Sequence, residues 1–383
     1  MKRVCESSGD RITNLPADVL KRILVLLPIK DAIKTATLST KWRRQWKSIP
    51  HLVFHDDFAV QKGCPSQPTQ TMTMMDESSL LPNIYKVLML HNGPITKFEL
   101  SIVRIFIGSS HQNAMDQIIL HLSDHRGHSL SEVSLVSPAP LVYKLHSALF
   151  SCLHISRLRL SHCELRQPSR FVGFSKLRVL QLWTVTLPAD FFENFLLKCP
   201  VLETLRVSVC PGTPNHLEIA TPCLREFCFS GCFERICFKS TPLLKLVSIH
   251  KRSVYVENPP DMAAFFASLP ALQRFSAEGY LIGLDLTAAS DAIPALLEAE
   301  HHGGSRCYLQ RLKEFEFRGI HGVRVELDLV GFVLASAPLL EKVHITPVGR
   351  LEPGKVFGFM KTVMQYKCAS REAEVIYAGR YEG

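Results

Sequence analysis

Four groups of residues in this sequence have types and spacings that invite a chemical reading. Gly349–Val356, GRLEPGKV, carries the G-x-x-x-x-G-K spacing of a phosphate-binding loop. Val356 stands where such a loop needs a Ser or Thr hydroxyl for magnesium. Pro353 lacks the N–H that a phosphate cradle uses, and Glu352 repels phosphate. Cys223, Cys228, Cys232 and Cys237 cluster, but without the Cys-x-x-Cys pairs of a zinc site. His51 and His55 have the spacing of two ligands on a helix, with no third ligand arranged near them. Cys64 sits in a polar stretch with no activating base. Neither Gly-x-Ser-x-Gly nor His-Glu-x-x-His occurs. The sequence therefore predicts no active site, no metal and no cofactor. The chemistry left is recognition.

Composition narrows what is recognised. The chain has 383 residues, 46% of them hydrophobic and 21% charged, as expected of a globular protein with a large core. The longest apolar run, Ile23 to Ile29, is far short of the roughly 20 residues that cross a bilayer. No Asn-x-Ser/Thr acceptor occurs, and the first ten residues are polar. The expectation is a protein of the nucleus or cytoplasm, with no membrane contact and its twelve cysteines reduced. The net charge of +9 is uneven: residues 1–50 hold eleven Lys/Arg and four Asp/Glu. Such a patch suits nucleic acid or an acidic protein. The nearly neutral remainder has no nucleic-acid footprint.

From about residue 86 the template L-x-x-L-x-L recurs ten times at steps of 20 to 40 residues. The clearest copies are Ile155–Leu165, Leu177–Leu187, Leu202–Cys210 and Leu224–Cys232. In each, two alternate apolar residues point inward from a short strand, and Cys163, Cys210 and Cys232 take the buried turning position. The pattern resembles leucine-rich repeats, which stack into a curved parallel sheet because no single unit buries its own core. Helices are predicted between strands at Gln112–His125, Pro188–Lys198, Asp261–Leu269, Asp291–Glu300 and Val330–Ala337. Residues flanking the inward pairs face the concave side. Among them Arg157, Arg159, Gln181, Trp183 and Arg206 are the candidate target-binding set, since Trp beside Arg is hot-spot chemistry.

The N-terminal stretch LPADVLKRILVLLPIKDAIKTATLSTKWRRQW has apolar residues at helical spacing, with Asn14 and Ser39 as candidate caps and Pro16 and Pro28 as helix openers. Three helices this short cannot bury their own apolar side chains, so a partner or the rest of the chain must cover them. The stretch resembles an F-box: Leu15-Pro16, Val19-Leu20, Ile23-Leu24, Leu27-Pro28, and Ser39 with Lys41-Trp42-Arg43. The resemblance implies docking on a Skp-type adaptor of a cullin-RING ubiquitin ligase through Leu15, Pro16, Val19, Leu20, Ile23, Leu24, Leu27, Pro28, Ile29, Ile33 and Trp42. Adaptors of that type are acidic, which suits the basic charge here.

Residues 312–345 resemble the opening of the FBD module of plant F-box proteins, and a helix and a strand through Ala373, Val375 and Tyr377 follow. The expected architecture is α/β: a three-helix F-box over 10–50, a connector with a mobile loop over 51–85, an irregular repeat solenoid over 86–308, and an FBD-like cap over 309–383. The function implied is a non-catalytic substrate receptor of an SCF-type ligase. The alternatives are an adaptor-binding scaffold that delivers no substrate, and a DNA-binding regulator using the basic N-terminus.

Overall fold

The computed structural model describes residues 15–55, 58, 80–101, 112–124, 129–136, 142–188, 190–251, 262–278, 309–348 and 353–377. The chain divides into two compact units, 1–174 and 175–383. No helix among the described residues is long and apolar enough to cross a membrane.

The first unit opens with α1 (Ala17–Val25), α2 (Ile29–Lys34) and α3 (Trp42–Gln45). Pro16 and Pro28 stand just before α1 and α2 in extended conformation. Their carbonyls accept the first helical N–H groups at 2.9–3.1 Å. Ser39 Oγ accepts the Trp42 N–H at 3.4 Å, the cap its position suggests, whereas Asn14 lies outside the described residues. Leu20, Leu24, Ile29, Ala32, Trp42 and Trp46 form the bundle's core. The Lys41 ammonium donates to the Leu15 carbonyl, tying the start of α1 to the approach to α3.

Next come β1 (His51–His55), α4 (Leu80–Leu90), β2 (Lys97–Ser101), α5 (Gln112–Asp124), β3 (Glu132–Val136), β4 (Tyr143–Lys144), β5 (Arg157–Ser161) and β6 (Cys163–Glu164). Strands β1, β2, β3 and β5 pair in parallel, with His51, Lys97, Glu132 and Arg157 in register. The ladder thus begins at His51, inside the stretch expected to be connector, because Leu52 and Phe54 already alternate inward at full burial. His51 and His55 lie on this strand, about 13 Å apart along it, and not on a helix. The helical bundle is joined to the ladder by backbone bonds: Asn92 N–H to Lys47 O and Thr96 N–H to Pro50 O, both 2.8 Å. The buried His91 ring adds a 2.8 Å contact to Ile49 O. A Cβ on Gly93 would lie 2.7 Å from Ser48 Cα, so only glycine permits this approach.

The second unit repeats the scheme with β7 (Val179–Trp183), β8 (Thr204–Ser208), β9 (His216–Ile219), β10 (Glu226–Gly231), β11 (Arg235–Phe238), β12 (Leu246–Lys251), β13 (Arg274–Glu278), β14 (Glu314–Ile320), β15 (Lys342–Pro347) and β16 (Glu374–Tyr377). Here β7, β8, β10, β12, β13, β14, β15 and β16 form one parallel ladder, and β9 and β11 pair separately. The inward pairs, such as Leu180 and Leu182, Phe227 and Phe229, and Phe315 and Phe317, are at most 2% exposed. Phe275 and Phe315 stack at 6.0 Å on neighbouring strands, and Phe266 meets Phe275 edge-on at 5.2 Å. The C-terminal module prolongs this ladder through β14, β15 and β16.

Helices α6 (Met262–Ala267), α7 (Arg324–Ser336) and α8 (Pro353–Gln365) lie between strands. Pro353 therefore opens a helix, while Gly349–Glu352 lie outside the described residues, as does the expected helix Asp291–Glu300. Helix α7 starts six residues earlier than its apolar pattern suggests. The buried Glu326 carboxylate accepts the N–H groups of His321, Gly322 and Val323 at 2.7–3.1 Å, which organises the turn leading into it. The α-helix expected over Pro188–Lys198 is instead a π turn at Phe191–Phe195 and a 3-10 turn at Leu196–Lys198. Phe191, Phe192, Phe195 and Leu196 are all buried, more than one face of a regular helix can hide.

Three strand ends share a device the sequence did not announce. His162, Thr184 and Val209 adopt φ of +51 to +53° immediately before the buried Cys163, Val185 and Cys210. The fourth copy departs from this: β10 runs on through Gly231, and Cys232 is exposed rather than in the turning position. Left-handed backbone is costly for a β-branched side chain. Val209→Asn is expected to raise stability by about 0.5–1 kcal/mol, read as a higher midpoint in thermal or urea denaturation.

Candidate functional site

Two surfaces carry the residues singled out for binding. On α1 the apolar residues fall in two adjacent stripes. Leu20 and Leu24 point into the bundle at zero exposure, with Leu27 half-buried beside them. Val19, Ile23 and Leu26, spaced four and three apart, share the neighbouring stripe. Val19 is 39% exposed, Ile23 is half-buried, and Leu26 is 84% exposed. Pro16 and Pro28 are exposed, and Leu15 and Ile33 half-buried. Of the eleven residues expected to face an adaptor, Leu20, Leu24, Ile29 and Trp42 are interior, and that part of the expectation is corrected. Their burial makes the bundle. Leu26, and Leu38 at 61% exposure, are surface residues that the pattern did not single out.

The second surface is the open face of the ladders. In the first unit Arg157 and Arg159 are exposed on β5, and Arg157 pairs with Glu132 at 3.7 Å. In the second unit the outward side chains form rows across the strands. One row runs Gln181, Arg206, Cys228, Ser248, Ser276, Glu316 and His344 in register. Trp183, 61% exposed, lies opposite Ser208 in the next row and is not tucked under a loop. The Arg206 guanidinium reaches Glu226 at 3.4 Å.

Over β10–β15 the small side chains of Cys228, Ser248 and Ser276 leave a depression of about 360 Å³. A fixed polar network lines it. Arg318 donates twice to Glu316, at 2.7 and 2.9 Å, and Ser276 Oγ donates to the same carboxylate at 3.1 Å. Burial by itself raises the Glu316 carboxyl, but the Arg318 guanidinium, the Ser276 hydroxyl and nearby His344 together hold it below its ordinary value. Burial outweighs the nearby Arg206 and pushes the Cys228 thiol up, so it stays protonated and unreactive at neutral pH.

Ser248 Oγ lies 2.9 Å from His250 Nε2, and His250 Nδ1 lies 3.0 Å from Glu278 Oε1. That connection orders a nucleophile, a base and an orienting acid. In a strand flanked on both sides, however, the backbone N–H groups are engaged by neighbours, which leaves no paired donors for an oxyanion. The three residues form a positioned polar wall. Among the described residues no group of three His, Cys, Asp or Glu side chains could hold a metal ion.

Both surfaces fall within segments that are similar to known proteins. Residues 12–54 match the F-box domain, and 301–345 the FBD. Residues 121–281 match the LRR repeats of the family described as FBD-associated F-box protein At5g56370. F-box/FBD/LRR-repeat protein At1g13570 of Arabidopsis thaliana is 32% identical over 401 residues, covering 88% of this chain and 91% of that protein. The chain belongs to the F-box/FBD/LRR-repeat family. Putative F-box/FBD/LRR-repeat protein At5g52460 of the same plant is 23% identical and covers 89% of each chain. F-box/FBD/LRR-repeat protein At5g56420 is 28% identical over 72% of this chain and 56% of its own.

In this F-box/FBD/LRR-repeat protein the F-box match spans α1 to β1, so the helical bundle and nearly all of the first strand of the ladder fall within one domain match. The FBD match takes in β14 and α7 and ends in β15. The network around Glu316 therefore bridges the repeats and the FBD through Ser276 on β13. A carboxylate held below its ordinary value stabilises the fold at neutral pH, and that contribution is lost as pH falls through its lowered value. Glu316→Gln is expected to lower the thermal midpoint at pH 7. The gap to wild type should close as the pH is taken below about 4, in melting curves recorded across that range.

Proposed function

We propose that this protein is the substrate-recognition subunit of an SCF-type ubiquitin ligase, non-catalytic itself. It would bind a Skp-type adaptor through the F-box and a target protein through the open face of the repeats. An F-box implies the adaptor. The observation that carries the reading further is the division of α1: its inner stripe is sealed, while Val19 and Leu26 remain in water beside exposed prolines. An apolar stripe of that kind on a short helix fits a groove on another protein. The basic excess of residues 1–50 favours an acidic partner. That charge also keeps a DNA-binding reading in view, but the outward apolar stripe does not suit a phosphate backbone.

The mechanism is proximity: the chain holds a target within reach of a ubiquitin-loaded enzyme recruited elsewhere in the complex. For this, the adaptor-binding helices and the repeats must not swing independently. The bonds from Asn92 and Thr96 to Lys47 and Pro50, and the glycine-only contact at Gly93, support such a fixed joint. A ligase of this type works in the nucleus or cytoplasm.

Purified adaptor is the test. Val19→Asp with Leu26→Asp is expected to abolish adaptor capture while leaving the melting temperature within a few degrees of wild type. Leu24→Ala is expected to destabilise by about 2–5 kcal/mol and to lose binding only as the bundle unfolds. Undiminished capture by the folded double variant would overturn the reading. Ubiquitylation of co-purified proteins in a reconstituted ligase separates a receptor from a scaffold that delivers nothing.

A further inference from the structure

Accepting that the repeats' open face recognises a target, the depression over β10–β15 says what kind. Its hydrogen-bonding capacity is unevenly engaged. Glu316, in its lining, already accepts from Arg318 and Ser276, and on the neighbouring strands Glu278 is paired with His250 and Glu226 with Arg206. Arg274 is exposed at the depression's edge, and its guanidinium makes no hydrogen bond or ion pair among the described residues. Arg206 lines the same depression, is half exposed, and meets Glu226 through only one long contact of 3.4 Å. What the site has to offer is guanidinium N–H donors over a floor of small hydroxyls.

Spacing gives the ligand's form. Arg206 is on β8 and Arg274 on β13, three strand spacings apart and offset by two residues along the strands, or about 16 Å between their backbones. An extended peptide advances about 3.3 Å per residue, so two of its side chains four to five residues apart span that distance within the reach of the two arginines. A volume of about 360 Å³ accepts a side chain with its flanking backbone. Glu314 stands beside Arg274 in register, at the rim, without an ion pair among the described residues. A carboxylate there disfavours a dense polyanion such as nucleic acid and tolerates single, spaced carboxylates.

The geometry points to this depression as the docking site for an extended acidic peptide segment of the target, with one carboxylate on Arg274 and a second, about four to five residues away, on Arg206. Arginine suits this role because its planar fork grips a carboxylate with two bonds.

A phage-displayed library of random twelve-residue peptides, panned on the immobilised full chain, tests the assignment. Enriched peptides are expected to carry Asp or Glu at spaced positions. Arg274→Glu should weaken their binding at least tenfold, measured by fluorescence anisotropy with the labelled peptide. Arg274→Lys should retain part of it, and replacing the peptide's acidic residues by amides should abolish it. Peptides without acidic bias, binding indifferent to Arg274→Glu, or no enrichment at all would overturn the proposal. Adaptor capture by the same Arg274→Glu protein keeps the two questions apart. Loss of peptide with adaptor retained speaks only to the depression. Acidic peptides captured by a chain that binds no adaptor would leave the depression standing and remove the ligase reading.

Discussion

The strands of the main ladders are four to seven residues long, and all but the last, β16, bury at least two side chains. A strand of that length cannot hold itself together in water. Its inward pair must be covered by the pair on the next strand, as Phe275 is by Phe315 and Phe98 by its neighbours Phe54 and Val133. Everything else follows from this sharing. Because the pairs stay in register, the outward side chains are also brought into rows. An ordered surface of outward rows therefore forms as a by-product of packing the core.

The same principle explains how the helical bundle is anchored. Leu20, Leu24, Trp42 and Trp46 fill a small core, and Ile49 and Leu52 carry it into the first strand. The joint then closes through backbone atoms, with Gly93 against Ser48. A contact between backbones transmits position more firmly than one between flexible side chains. In the receptor proposed above, which would hold two partners at a set separation, such stiffness would be part of the function.

Much of this was legible in the sequence, for identifiable reasons. The inward pairs alternate with period two, so the inward positions of Leu158 and Leu160 or Val343 and Ile345 follow from the sequence alone. The F-box stripe on α1 was legible as apolar but not as two halves, since a stripe wide enough for a core and a partner reads as one. Assigning Leu20 and Leu24 to the partner was the consequence. Gly93 gave no signal, because its requirement comes from Ser48, forty-five positions earlier. The left-handed turns at Thr184 and Val209 gave none either, since β-branched residues disfavour that conformation, and His162 alone, though of a type that tolerates it, is too weak a signal. Arg274 carries no signal in the sequence, because a guanidinium without a partner is recognised only once the partners of its neighbours are known; Trp183 stands out by its type together with the arginines near it in the repeat pattern.

The account rests on the outer stripe of α1 being a protein-binding surface. Hydrogen–deuterium exchange of the full chain, alone and with purified Skp-type adaptor, tests this most directly. The account predicts slower exchange over residues 16–27 and around Leu38, with β10–β15 unchanged. Exchange unaltered over α1, with or without protection elsewhere, would contradict it.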